Sequence, residues 1–508
     1  MFTHLRKLYR TRLLTIPGLC RLVEAVLTTG VNTMAMLRIA AKLHPERTAL
    51  TDEQERLSYL ELWRQSEALA GALHAEHGLQ PRQRVALACG NHAALIKAIF
   101  AFSRLGTHVF LVNPGMTADQ LRALEERLRF DFYVYDDTLA AVFSDPALSK
   151  KSLPSYHPTD PSINRLALLP EAAKARLKKQ KAGNIVVMTG GTTGQPKAAS
   201  RKPSIPDFLP PFMALLTQLH LDNYRTVYVA TPIYHGFGVV ALFMGVILGA
   251  EMYFTRQFEA GRACELIARH NIEAVTVVPL MLQRMLNRDA EMLKSLHCII
   301  TGSAMLSPAL ARESLTKIGP TLFNLYGTSE GGFAIMATPD LLARKPESIG
   351  KPVCGVCARI LDEAGQKLGN KAVGRLCLRS SWTTSKKNWI ETGDLAYRDA
   401  DGDIFLCGRV DDMIVSGGEN VYPIELENVL AQHADVAAVA VVGIADTEFG
   451  QRLKAVVAAK KDSQLDKAAL IEWLKPRVAR HQMPAIVEFR DELPYTALGK
   501  PDKKALRG

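Results

Sequence analysis

The chain has no cysteine framework. Its eight cysteines, Cys20, Cys89, Cys264, Cys298, Cys354, Cys357, Cys377 and Cys407, are scattered over 508 residues. Only Cys354 and Cys357 form a C-x-x-C, and no second pair stands at zinc-site spacing, which excludes a disulfide-stapled or zinc-stapled module. Both lie in VCGVCARILD, which reads as a strand carrying small buried thiols. A reducing, cytoplasmic setting is expected. Long apolar runs are also missing. The longest, GFGVVALFMGVILGA (236–250), falls short of the about 20 residues a membrane span needs and reads as a buried helix. The first residues, MFTHLRKLYRTRLLTIPGLCRL, hold a short apolar part broken by Pro17 and Gly18 and followed by Arg21, so no secretory leader is expected. There are no internal repeats, no low-complexity segment and no zinc-finger or RNP-type run, which sets nucleic acid aside as a partner.

What is present is an ordinary globular composition, 48% hydrophobic, with a net charge of +11. That excess favours anionic partners such as nucleotides, CoA-like molecules or acidic lipids. The length predicts about three domains. Residues 1–40 read as a helical extension of two short helices split at Pro17-Gly18. Arg6, Lys7, Arg10 and Arg12 beside Phe2, Leu5 and Leu8 fit contact with an anionic membrane surface through residues 1–16, on the inner face of a membrane. The same pattern fits a solvated basic face whose apolar stripe packs on the domain.

From about residue 40 the pattern alternates. VALACG (85–90), HVFLVNP (108–114) and FYVYDD (132–137) read as strands. HAALIKAIFAFSRLG (92–106) and TADQLRALEERL (117–128, N-cap Thr117) read as helices. EAAKARLKKQKA (171–182) reads as a surface helix. This α/β rhythm predicts helix-covered, mainly parallel sheets in a large domain over 41–409. Short strands and turns after about 350 predict a β-rich subdomain, 350–409. A small mobile α+β domain is expected over 410–508.

The strand NIVVMT runs into GGTTGQPK. Glycines let backbone N–H groups converge on an anion. Thr189, Thr192 and Thr193 add hydroxyls among Gly190, Gly191 and Gly194, and Lys197 adds a positive charge. The Walker A loop needs G-K-[ST], whereas Lys197 follows Pro196 and precedes Ala198. A P-loop kinase or GTPase is thereby excluded.

Three further strings accompany this loop: NLYGTSEGG (324–332), ETGDLAYRDADGDIFLCGRVDDMIVSGGENVYPIELE (391–427) and LPYTALGKPDKKAL (493–506). Together, and in this order, they resemble the motifs of the adenylate-forming superfamily of acyl-CoA synthetases and AMP-dependent ligases, over about residues 40–508. The resemblance is closest to fatty-acid–CoA ligases. It implies that Tyr326 stacks on adenine, flanked by Asn324, Gly327 and the backbone of Gly302, Ser303 and Ala304. Thr328 and Ser329 would meet the phosphates and Glu330 would ligate Mg²⁺. Asp394 would hold the ribose hydroxyls, with Arg409 beside it. Asp411 would be the hinge, and Ser416, Gly417 and Gly418 would line a thiol tunnel. Lys500 would be the catalytic lysine, a cation that offsets the repulsion between a carboxylate and an α-phosphate. Lys503 and Lys504 read as solvated charges. The family pattern departs at Gly190, where serine is common, and at Ala198, where glycine is usual.

The implied reaction consumes ATP with Mg²⁺, forms an acyl-adenylate and passes the acyl group to the thiol of CoA. Amino-acid-activating relatives carry an aspartate near the segment matching PIYHGFG (232–238), and here there is none. An unpaired buried ammonium would be costly, so an acid without an α-amine is expected. His235, Phe237, Val239 and Phe333 are the candidate acid-pocket residues, with His235 also near the reacting centre. Val240, Leu242 and Phe243 add to a greasy surround, and the expected acid is a medium- or long-chain fatty acid. The alternatives are a ligase that loads a carrier protein and a non-catalytic nucleotide- or acyl-CoA-binding homologue.

Overall fold

The computed structural model describes residues 7, 9, 15–169, 177–190, 196–201, 205–328, 330–383, 388–416, 419–461, 463–496 and 499–507. The chain divides into two compact units. The first comprises residues 1–277 and 292–299, the second 278–291 and 300–508.

The first unit contains a six-stranded sheet in the spatial order Ser152–Pro154, Phe132–Tyr135, Arg84–Ala88, His108–Leu111, Ile185–Gly190, Pro196–Arg201. All its pairs are parallel except the last, a hairpin in which Thr189 lies opposite Lys197. Parallel strands need crossovers, and the predicted helices supply them. Ala93–Leu105 is entirely buried, its charged Lys97 and Arg104 paired with Glu55 and Glu67, and it stops at Gly106. Ala118–Leu128 begins with a capping box between Thr117 and Gln120, as its sequence predicts. A second strand set runs Ala274–Val277, Thr226–Val229, Glu251–Tyr253, Thr48–Thr51, parallel throughout, with Arg56–Ser58 antiparallel at its edge. The run 236–250 forms the helix Gly236–Leu248, as expected. Residues 177–182 of the expected surface helix are not helical, and 170–176 lie outside the described residues.

The helix boundary expected at Pro17-Gly18 is present: these residues open the helix Ile16–Thr29, with Thr15 as N-cap, and Lys7 and Tyr9 before it are helical, while residues 1–6, 8 and 10–14 lie outside the described residues. Proline in the first turn gives up only an N–H that has no intrahelical partner. A second helix, Thr33–Leu43, follows, and Ala25, Ala35 and Ile39 pack between the two.

The second unit is mainly antiparallel and β-rich, as the short strands predict, with Gly450–Ala459 and Ile486–Phe489 paired in parallel. Its larger sheet runs Leu322–Thr328, Gly332–Ala337, Ser348–Pro352, Ile404–Arg409, Ile390–Arg398, Gly374–Ser380, Val356–Leu361, every neighbour antiparallel. The last hundred residues build a smaller sheet around the long hairpin Val436–Asp446 and Gly450–Ala459, backed by Pro423–Leu430 and Lys467–Leu474. Cys354 and Cys357 are exposed, not buried. Cys354 sits in the turn that enters the strand Val356–Leu361, and Cys357 points from that strand's open side.

Candidate functional site

In the second unit the residues of three separate motifs converge. Asp394 and Arg409 lie directly opposite each other on antiparallel strands, so their side chains share one face. Arg409 Nη1 donates to Asp394 Oδ1 at 3.2 Å and to the carbonyl of Thr392 at 3.2 Å. Its Nε donates to Asp411 Oδ1 at 2.9 Å. Burial alone would lower the Arg409 pKa, but Asp411 and Asp394 outweigh it and hold the guanidinium charged. Gly393 is required between these groups. Its φ of +78° is left-handed, and a Cβ there would lie 2.8 Å from Arg409 Nη2.

The hydroxyl of Tyr326 donates to Asp394 Oδ2. Burial and the facing carboxylate push the tyrosine pKa well up, so it remains a donor. Asn324 is buried two residues earlier on the same strand. Gly302 packs against this strand, where a Cβ would meet Leu325 O at 2.7 Å. Ser303 follows in left-handed backbone, φ +67°, a strained geometry for a non-glycine residue and one that clusters at functional sites. Ala304 continues the bend. The strand Leu322–Thr328 then turns into Gly332–Ala337, with Thr328 opposite Gly332 and Gly327 opposite Phe333. Thr328 Oγ1 accepts from Gly331 N–H at 2.8 Å and fixes that turn, leaving Glu330 exposed at its tip. Ser329 lies outside the described residues.

Lys500 is held by a tight hairpin in which Thr496 N–H donates to Lys500 O at 2.8 Å and Gly499 N–H donates to Thr496 O at 2.9 Å. The lysine keeps exposed surface, but surrounding protein lowers its pKa. The field of Asp394 opposes that effect and Arg409 adds to it. The C-terminal cation and the candidate ribose carboxylate are therefore electrostatic neighbours.

The structure corrects one reading of this segment. Lys503 is not a solvated charge. It pairs with Asp412 at 3.4 Å and Glu427 at 3.2 Å, while Arg507 joins Asp412 at 3.3 Å. Leu506 is fully buried against Ala440 and Val442, which pins the helix Lys503–Arg507 and delivers its cations. Lys504 is exposed, as expected. Sequence reasoning also missed Thr392, whose Oγ1 accepts the Asp394 N–H at 3.1 Å and donates to Leu376 O at 2.9 Å. The TGD string was its signal. Ser416 is buried and opposite Glu419 in a short hairpin. Gly417 and Gly418 lie outside the described residues.

Of the first-unit candidates, Thr189 and Gly190 end the strand Ile185–Gly190, and Lys197 stands in the returning strand. Gly191, Thr192, Thr193 and Gly194 lie outside the described residues. His235 precedes the helix Gly236–Leu248, its ring 4.6 Å from that of Tyr234. Val239, Leu242 and Phe243 are buried in the hydrophobic cluster of this unit. Phe237 is half-buried and Val240 exposed.

The residues present fit a nucleotide with Mg²⁺. An exposed carboxylate at a fixed turn suits a metal that takes one carboxylate plus phosphate oxygens. Asp394, 13% exposed, has an accessible acceptor edge for hydroxyls.

The profile of the AMP-binding enzyme family matches residues 37–386, and that of the AMP-binding enzyme C-terminal domain matches 425–500. The chain belongs to the AMP-binding enzyme family. This AMP-binding enzyme is 29% identical over 488 residues to 2-succinylbenzoate–CoA ligase of Bacillus pumilus, covering 92% of the chain and 96% of that protein. It is 30% identical over 493 residues to indoleacetate–CoA ligase of Aromatoleum aromaticum, with the same coverage. A medium/long-chain-fatty-acid–CoA ligase of Mycobacterium tuberculosis is 32% identical over 349 residues, covering 63% of the chain and 60% of that protein. The fold matches that of o-succinylbenzoate CoA synthetase from Bacillus subtilis in complex with its acyl-adenylate, with a TM-score of 0.81 at 24% identity over 93% of this chain and 98% of that one.

Proposed function

We propose that this enzyme activates an apolar carboxylic acid without an α-amine, of the aryl or arylalkanoic class first and the fatty acids second. The coarser statement stands on family membership: the chain is an AMP-forming acid–thiol ligase that works through an adenylate, with ATP, Mg²⁺ and CoA. The aryl preference is supported by the two relatives that match along nearly the whole chain, both named for acids with a ring. The fatty-acid reading rested partly on Val239, Leu242 and Phe243, which belong to the core.

One observation carries the adenylation chemistry: Asp394 receives Tyr326 and Arg409 and lies in the field of Lys500. In our reading Asp394 takes the ribose hydroxyls and Tyr326 presents its ring to adenine. Arg409 orients Asp394 and, through Asp411, couples it to the hinge. Lys500 sits between the incoming carboxylate and the α-phosphate, where a fixed cation stabilises developing negative charge. Glu330 would hold Mg²⁺, which neutralises phosphate charge when bound. Thr189, Gly190 and Lys197, with the loop between them, would grip the pyrophosphate. His235, Phe237 and Phe333 would border the acid, and Ser416 the thiol path.

The test is pyrophosphate release from ATP over a panel of aryl, arylalkanoic and fatty acids, with and without CoA. Release with ring-bearing acids at lower KM than with fatty acids is expected. The reverse order would overturn the substrate class, release without CoA consumption would assign a carrier-protein thiol, and no release with any acid would overturn the enzymatic reading. Lys500→Ala should slow adenylation about 10²–10³-fold while thioester formation from supplied acyl-adenylate persists. Equal loss of both halves in a folded variant would remove Lys500 from its role.

A further inference from the structure

The strands Leu322–Thr328 and Gly332–Ala337 do not pair evenly. Tyr326 lies opposite Ile335, but Gly327 lies opposite Phe333, so Ala334 has no residue facing it. Such a β-bulge bends its strand and, beside active sites, re-aims the residues near it. The end that is bent here carries the turn with Glu330 at its exposed tip. The bulge is closely packed: a Cβ on Gly327 would lie 2.3 Å from the Gly332 carbonyl.

A buried side chain from another part of the same unit holds this bulge. Trp382 is 6% exposed, and its indole Nε1 donates to the Phe333 carbonyl at 3.0 Å. Trp382 is itself fixed, because the chain leaves the strand Gly374–Ser380 in a tight turn. The Trp382 N–H donates to Ser380 Oγ at 3.4 Å and Thr383 Oγ1 donates to Ser380 O at 2.9 Å. Leu378, from that same strand and fully buried, lies 3.4 Å from where a Cβ on Gly331 would be, and Thr328 Oγ1 holds the Gly331 N–H. The segment after Glu330 is therefore anchored twice, at Gly331 and at Phe333. An indole N–H can only donate, and a buried donor left unpaired is costly, so Trp382 keeps the Phe333 carbonyl in place.

We propose that Trp382 is a positioning residue for the metal-binding carboxylate: its indole N–H, acting through the Phe333 carbonyl, fixes the bulge and so aims the Glu330 turn. Being buried, Trp382 works through the backbone. Mg²⁺ demands near-ideal octahedral geometry, so a turn free to rock about its bulge holds the ion less well than a pinned one. This rests on Glu330 as the Mg²⁺ ligand, and it does not depend on which acid the enzyme activates.

The test is ATP binding to the full chain by titration calorimetry, with no acid present so that nothing turns over, from zero to saturating Mg²⁺. Trp382→Phe removes the N–H and keeps an aromatic ring. It should raise the Mg²⁺ concentration that half-maximally tightens ATP about fivefold, the scale of one lost hydrogen bond, and leave ATP binding in EDTA unchanged. Glu330→Gln separates the two levels of the reading. If that variant responds to Mg²⁺ as the wild type does, the metal role of Glu330 fails and the proposal with it. If it shifts the Mg²⁺ dependence while folded Trp382→Phe does not, the role of Trp382 alone is overturned. In the Glu330→Gln background the effect of Trp382→Phe should vanish, and an undiminished effect there also overturns the proposal. Should Trp382→Phe not fold, the indole ¹⁵N–H resonance of Trp382 in the wild type should shift when Mg²⁺ is added to the ATP complex, and an unmoved resonance overturns the proposal.

Discussion

Two aspartates in this molecule gather partners in similar ways but to different ends. Asp136, in the first unit, is 3% exposed, and Asp394, in the second, is 13% exposed. Asp136 sits with Cys89 and His92 in a group whose donor atoms are close enough to surround a metal ion. Every element of that group is already spoken for. Leu95 N–H donates to His92 Nδ1, so the ring proton sits on Nε2 and points at Asp136 Oδ1, 2.8 Å away. Ser155 donates to the same oxygen at 2.6 Å and Gly90 N–H to the other at 2.9 Å. Burial and Asp136 together push the Cys89 thiol pKa up, away from the thiolate a metal needs. Asp394 instead accepts from Tyr326 on one oxygen and from Arg409 on the other, and keeps 13% of its side-chain surface exposed. Ligand-type residues in proximity do not make a site; a carboxylate that also keeps surface open to a ligand can. The loop Asp399, Asp401, Asp403 teaches the same lesson, since Lys345 Nζ bonds all three carboxylates.

The largest expected effect breaks the closed network. Asp136→Ala strands His92, Ser155 and the Gly90 amide in the interior and should cost about 3–5 kcal/mol of stability, read by denaturant unfolding. Burial would raise the Asp136 pKa, but the bonds from His92, Gly90 and Ser155 outweigh it and hold it well below the ordinary carboxylate range. A carboxylate depressed in the folded state stabilises fully above its unfolded pKa of about 3.9 and loses that contribution as pH falls toward the folded value. The gap between wild type and Asp136→Ala should therefore be constant from neutral pH to about pH 5 and narrow only in stronger acid. A gap that narrows above pH 5 would show the network to be weaker than its geometry.

Much of this contrast was legible in the sequence, and the rest was not for physical reasons. The strands and helices around Asp394 follow from period and turn residues, and the pairing of Asp394 with Arg409 from their motif. The hydroxyl of Tyr326 on Asp394 was not readable, because it depends on how two hairpins stack across 68 residues of sequence. Lys503 was misread because its charge partners, Asp412 and Glu427, are distant in sequence and only the burial of Leu506 brings them near. The exposure of Cys354 and Cys357 depends on which face of an edge strand is covered, and Val356–Leu361 lies at the end of its sheet. The apolar run 236–250 announced a buried helix, yet nothing in it separates core residues such as Val239 from residues facing a ligand.

The next effect sharpens the open side. Asp394→Ala should cost less stability than Asp136→Ala, since Asp394 is 13% exposed against 3% for Asp136. It should lower kcat/KM for ATP in pyrophosphate exchange about 100-fold, equivalent to about 2.7 kcal/mol of lost transition-state binding. A variant that loses stability instead of turnover would place Asp394 with Asp136 as a structural residue and would remove the basis for the comparison.

The smallest effect deletes one hydroxyl from each network. Tyr326→Phe removes the donor to Asp394 but keeps the ring, and Ser155→Ala removes a donor to Asp136. Each bond to a charged acceptor contributes roughly 1.5–3 kcal/mol when the partner is left unsatisfied, and water decides how much of that is recovered. Asp394 is the more exposed of the two acceptors, so Tyr326→Phe should raise KM for ATP about fivefold with a smaller change in unfolding than Ser155→Ala, a ligand-side cost of about 1 kcal/mol. At Asp136 burial limits that recovery, so Ser155→Ala should lower stability by about 1–2 kcal/mol and leave KM for ATP unchanged. If instead the serine variant alters ATP binding, or the phenylalanine variant only stability, exposure is the wrong criterion for telling a working carboxylate from a structural one in this fold.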